Sequence, residues 1–143
     1  MQLRMYREAR TRLPGKKIRE LFELVVAGEA AHDWRADINL VFTTDQKIRA
    51  LNRTYRRMDK PTDVLSFNLD QPTRESAVFG EIYISVPTAR RQAESAARPL
   101  VDEFLWLVCH GLLHLFGYNH KKPSEAARMK AREALYLAEV CGR

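Results

Sequence analysis

The chain has 143 residues, 45% hydrophobic and 29% charged, and its 24 Lys and Arg against 18 Asp and Glu give a formal charge of +6. That length suits a single domain over residues 1–143, able to bury about two-thirds of its unfolded surface without a disulfide staple. No apolar run approaches the ~20 residues of a membrane span, and Met1-Gln2-Leu3-Arg4-Met5 has no signal-peptide character, so the expected location is the cytoplasm with no membrane partner.

Residues 2–6 form a first short strand. After Pro14-Gly15, the spacing of Ile18, Leu21, Phe22 and Val25 predicts a helix running to about Ala31. Residues 36–42 alternate, with Ile38, Leu40 and Phe42 on one face and Asp37 and Asn39 on the other, which is the pattern of a half-buried strand. Thr43 with Gln46 is a capping-box signature, and Thr44 is the alternative cap. The helix it opens is expected to bury Ile48, Leu51 and Tyr55.

A turn around Asp59-Lys60-Pro61 leads to a strand from Asp63 to Phe67. Residues 68–77 read as a polar loop with Pro72, and a strand follows at 80–86. Helices are predicted at 87–97, about 100–116 and about 124–140, with Pro99 and Pro123 placed to start helices without interrupting them. Strands early and helices late define an α+β class, a small sheet covered by about five helices. The strand order is not legible at this level.

Cys109 and Cys141 are too few and too irregular for a disulfide framework. Cys109 adjoins a histidine, but helical neighbours point ~100° apart, so it reads as a buried, inert thiol.

Three of the four histidines lie within eleven residues, in His110-Gly-Leu-Leu-His114-Leu-Phe-Gly-Tyr-Asn-His120. His110 and His114 stand at i and i+4, which places both rings on one helical face within reach of one ion. Gly117 sits where a left-handed helix stop belongs, so the chain can reverse and return His120 to that ion. Three protein ligands leave a fourth position open, the pattern of a catalytic zinc centre and not of a structural one. One Zn²⁺ per chain is expected, although nickel and cobalt accept the same ligands.

The helical wheel puts Val101, Phe104, Leu105, Val108, Leu112, Leu115 and Phe116 on the core side and the two histidines opposite. His32, far away in a polar stretch, reads as an ordinary histidine. The spacing is also that of the metzincin proteases, which carry glutamate directly after the first histidine as general base. Here that position is Gly111, and Glu103 lies ~10 Å away along the axis.

The histidine segment closely resembles the signature of the YbeY family of bacterial endoribonucleases. Leu51-Asn-Arg-Thr-Tyr-Arg56, Asp59-Lys-Pro-Thr-Asp-Val-Leu-Ser-Phe67 and Gly80-Glu-Ile-Tyr-Ile-Ser85 agree with it, so the match spans roughly residues 36–120. The resemblance implies a zinc-dependent, single-strand-specific endoribonuclease. It would act in maturation of the 3′ end of small-subunit ribosomal RNA and in ribosome quality control. It further implies a mixed four-stranded sheet packed with helices, zinc ligands His110, His114 and His120, and a functional role for Arg56. Its implied partners are single-stranded rRNA and the ribosome or small-subunit proteins. Two positions depart from the family pattern: Asn119 stands where Asp is usual, and Asn68 where Pro is frequent.

Independently of the family, Arg49, Arg53, Arg56 and Arg57 make a basic stripe that can track a phosphate backbone or simply be a solvated face. Lys60, Lys121 and Lys122 can extend it. In the reaction this reading implies, Arg56 is the catalytic residue, stabilising charge on the phosphate, while Arg49, Arg53, Arg57 and Lys60 bind RNA. Ser66 and Glu81 are candidates for lining the cleft, or plain polar strand residues. The rival functions are a zinc peptidase and a non-catalytic ribosome assembly factor.

Overall fold

The structure, a computed structural model, describes residues 2–30, 35–69 and 77–141. In chain order the elements are β1 (Gln2–Arg7), α1 (Gly15–Glu29), β2 (Arg35–Thr43), α2 (Asp45–Arg56), β3 (Val64–Asn68), β4 (Ala77–Ser85), α3 (Val86–Ser95), α4 (Leu100–Leu115) and α5 (Pro123–Val140). The four strands form one mixed sheet in the order β1-β2-β4-β3. β1 and β4 both run parallel to β2, which requires crossovers that α1 and α2 help supply, and β3 returns antiparallel on β4. The expected α+β class is what the chain adopts, with five helices among the described residues.

One face of the sheet carries Leu3, Ile38, Leu40, Phe42, Ile82 and Ile84, all buried under the helices. His32 and most of the expected 68–77 loop lie outside the described residues. β4 begins at Ala77, three residues before the alternation made it visible. Val86 opens α3 and does not end the strand, because the Ser85 hydroxyl accepts the Thr88 N–H at 3.3 Å and caps the helix.

Thr44, not Thr43, caps α2, accepting the Lys47 N–H at 3.2 Å. The burial expected for α2 is corrected. Ile48 is buried, but Leu51 is half-buried and Tyr55 is 67% exposed, while Asn52 is 2% exposed. The helix rests on the sheet by a narrow edge. Asn52 uses its buried amide to hold the 58–60 turn, donating to the Lys60 carbonyl at 2.9 Å. Tyr55 instead packs edge-on against Phe67 at the rim, with centroids 5.3 Å apart.

The expectation for α4 is corrected too. This helix touches α1, α3, α5, β3 and β4, so apolar residues all around it are buried, as a central helix requires. Leu107, Cys109 and Leu113 are fully buried, whereas Val101, assigned to the core stripe, is 38% exposed. His110 and His114 occupy the one strip of α4 left facing outward. Burial pushes the Cys109 thiol well up, in keeping with an inert role.

Gly111 is where α4 meets the sheet. A Cβ there would lie 2.8 Å from Ile82 Cγ2 and 3.1 Å from Ser66 Oγ. Gly111→Ala is expected to destabilise the protein by ~1–3 kcal/mol through overpacking, read as a lower urea midpoint at unchanged m-value. An unchanged midpoint would mean the helix can lift off the sheet at no cost.

Candidate metal centre

The C-terminus of α4 builds the site. Phe116 caps the helix and Gly117 follows at φ 99°, a conformation that favours glycine. The Gly117 N–H reaches the His114 carbonyl and the Tyr118 N–H reaches the Leu113 carbonyl, each at 3.0 Å, which together make a Schellman stop. The chain reverses at once, and the His120 ring arrives 5.2 Å from His114 and 5.7 Å from His110 between centroids. The three histidines are brought together as the spacing predicts.

Each helix histidine is oriented from behind. His110 Nδ1–H donates to Glu133 Oε1 of α5 at 2.9 Å, and His114 Nδ1–H donates to the Tyr118 carbonyl at 2.9 Å. A carbonyl only accepts, so His114 holds its proton on Nδ1 and presents a lone pair at Nε2. The same tautomer of His110 places the two Nε2 atoms 3.1 Å apart. Two lone pairs at that separation repel unless a cation lies against them. Nitrogens ~2.0–2.1 Å from a tetrahedral ion stand ~3.3 Å apart, and one ligand atom from each of the three rings lies within 4.8 Å of the others. The donor set fits a metal ion. Burial, aided by the neighbouring His110, holds His114 below the usual imidazole range and favours its neutral, ligating form.

A second layer locks the loop. Glu29, at the end of α1, accepts from Tyr118 Oη at 2.7 Å and from Tyr136 Oη, and pairs with Arg132 Nε at 3.1 Å. The residue whose carbonyl orients His114 is thereby tied by its hydroxyl to α1 and α5. Neither Glu29 nor Glu133 was singled out from sequence. They lie 89 residues before Tyr118 and 23 after His110, respectively, with no local pattern to join them. For a metal held by the triad, Glu133→Gln is expected to weaken affinity about 10–100-fold, measured by competition with a chelator. Unchanged affinity would remove Glu133 from the site.

The histidines open onto a cleft of about 480 Å³ that also takes Arg56, Asp63, Ser66, Asn68, Asn119 and Lys121 in its lining. Arg56 comes from the last turn of α2, so the sheet edge brings it to the histidines across more than fifty residues of sequence. Ser66 lines the cleft and bonds the Gly111 carbonyl at 3.1 Å; Glu81 does not line it and instead accepts from Tyr83 Oη at 3.4 Å. Asp63 is the only carboxylate among the described lining residues. Its oxygens are taken by the Val64 N–H, Thr62 and Gln92, which makes it an anchor for the start of β3.

The rest of the basic stripe stands outside this lining. Arg49 makes a two-point bond to Asp59 at 2.8 and 3.2 Å, and Arg53 lies 4.0 Å from the same carboxylate. Arg49 holds the Asp59 carboxyl below its ordinary range. Arg57 ends α2 in the left-handed region at φ 57°, and Lys60 and Lys122 are exposed.

An α+β domain with a histidine helix over a mixed sheet, closed by a reversing third histidine beside an arginine, defines a class of small proteins with a site fit for a metal ion. Within it, the profile of the family described as Endoribonuclease YbeY matches residues 5–141, and the chain belongs to the YbeY family. A Moorella thermoacetica protein named Endoribonuclease YbeY is 43% identical over 124 residues, covering 80% of this chain and 76% of that one. An Anaeromyxobacter dehalogenans protein of the same name is 41% identical over 99 residues, covering 69% of this chain and 51% of its own. The chain thus spans about half the length of one such relative and three quarters of the other. The solution structure of a Thermotoga maritima protein superposes with a TM-score of 0.67 at 29% identity, covering 99% of this chain and 90% of that one.

Proposed function

We propose that this chain is an endoribonuclease acting on single-stranded RNA, with one zinc ion held by His110, His114 and His120 and with Arg56 as catalytic residue. The observation that carries the reading is that the three imidazoles and Arg56 face one cleft. The family name borne by the relatives supports RNA as the substrate. The same proposal takes the chain as a single domain over 1–143 and, on the strength of the family resemblance alone, gives it maturation of the 3′ end of small-subunit rRNA, ribosome quality control and a cytoplasmic setting. No helix among the described residues is long and apolar enough to cross a membrane.

His110, His114 and His120 would hold the metal, which would supply Lewis-acid chemistry toward a phosphate. The protein's own groups do the rest. Arg56 presents a planar guanidinium that binds phosphate at two points and gains strength as charge builds in the transition state. Lys121 adds a point charge to the same cleft. Tyr118 and Glu133 keep the imidazoles turned so that Nε2 faces inward. A peptidase lacks support, because position 111 faces Ile82 and Ser66 of the sheet and has no room for a glutamate.

The test is cleavage of an end-labelled single-stranded RNA and of its duplex, with chelated protein and with zinc restored. Cleavage of the single strand alone, lost on chelation and regained with zinc, is the expected result. Chelator-resistant cleavage of RNA, or cleavage of a peptide library in its place, would overturn the reading.

A further inference from the structure

The histidines of the triad border a second hollow. On the side away from Arg56, His110 and His120 share a cavity of about 460 Å³ with Trp106, Ala126, Ala127, Met129 and Lys130. The two cavities differ in chemistry. The Arg56 cleft mixes charged, amide and hydroxyl groups with Val64 and Leu115, whereas this one is mostly apolar. Its wall is aromatic: the Trp106 ring lies 5.1 Å from His110 at 29°, and His120 lies 5.7 Å from His110 at 26°. The His110 ring is thus stacked within 30° of both the Trp106 ring and the His120 ring. Across from them α5 contributes the short side chains of Ala126 and Ala127, the buried Met129 and Glu133, whose carboxylate is held by His110 Nδ1–H at 2.9 Å, and Lys130, which is exposed at the mouth.

We propose that this hollow is a nucleobase subsite, receiving the base of a nucleotide next to the scissile phosphate. The proposal rests on the RNA-cleaving reading. Continuity selects this occupant: two of the proposed metal ligands separate the hollow from the phosphate cleft, so one nucleotide can place its phosphate on one side and its base on the other. An aromatic wall suits any base, because every base has a π-face, and Lys130 suits an adjoining phosphate. A base inside a duplex cannot leave its stack without losing its pair, so the subsite admits unpaired RNA and discriminates against duplex. Selection for single strands is then a property of Trp106 and the two alanines, apart from the metal and Arg56.

The test uses zinc-loaded full-length protein carrying Trp34→Phe, which leaves Trp106 as the only tryptophan. A single-stranded oligoribonucleotide is expected to quench Trp106 emission on mixing. Ala127→Phe, or Ala126→Leu should the first fold poorly, fills the hollow and is expected to abolish the quench at unchanged metal content. In cleavage, removing the base at one position beside the cut is expected to lower kcat/KM about ten- to a hundredfold in the unfilled protein and to add no loss in the filled one. Equal cleavage of every singly abasic RNA, or a quench that survives filling, overturns the subsite. Quenching without cleavage of any RNA leaves the subsite standing and removes the nuclease reading, and cleavage without quenching does the reverse.

Discussion

His114→Ala is expected to yield a folded protein that neither retains metal nor cleaves RNA. His114 is the middle member of the triad. It sits 3.1 Å from His110 through Nε2, and its Nδ1 is already committed to the Tyr118 carbonyl. Removing it leaves two ligands, one of them on the exposed loop after Gly117, and frees the carbonyl that fixed that loop. The loss of affinity should exceed the ~10–100-fold typical of an outer hydrogen-bond partner. Loss of Lewis-acid catalysis worth several kcal/mol corresponds to a rate reduction of about 10³-fold or more. Metal content by atomic emission and single-turnover cleavage measure the two effects, and circular dichroism checks the fold. Cleavage at the wild-type rate with no bound metal would refute a metal-dependent reaction.

Arg56→Lys separates the metal from the phosphate. Arg56 lines the cleft but holds none of the histidines, so metal content should stay at the wild-type level. Lysine keeps the charge and loses the planar, two-point geometry, and the expected cost is about 10²–10³-fold in the single-turnover rate. Arg49→Ala is the comparison. Its guanidinium is spent on Asp59 and lies outside the cleft lining, so the same assay should change little. Equal losses in the two variants would mean that the whole stripe binds RNA diffusely and that Arg56 has no special part.

The arginine stripe shows where a linear reading runs out. Helical spacing puts Arg49, Arg53, Arg56 and Arg57 near one another, but it cannot say which are neutralised. Asp59 lies beyond the end of α2, and only the turn held by Asn52 brings it back against Arg49 and toward Arg53. Tyr55 illustrates the same limit. Its apolar ring fits the helical stripe, yet the narrow contact of α2 with the sheet leaves it at the rim.

Periodicity and local chemistry by themselves determined the element order, the α+β class, the Gly117 signal at the end of α4, and the convergence of His110, His114 and His120. All of these depend on residues within a few positions of one another, where backbone geometry alone decides the distance. The tertiary structure decided the strand order β1-β2-β4-β3 and the burial of α4 on nearly every side. It also decided the role of Gly111 as a contact point and the arrival of Glu133, Glu29 and Arg56 around the histidines. Those relations join residues far apart in the chain, and their distances follow from how helices and sheet share one core, a quantity with no local signature.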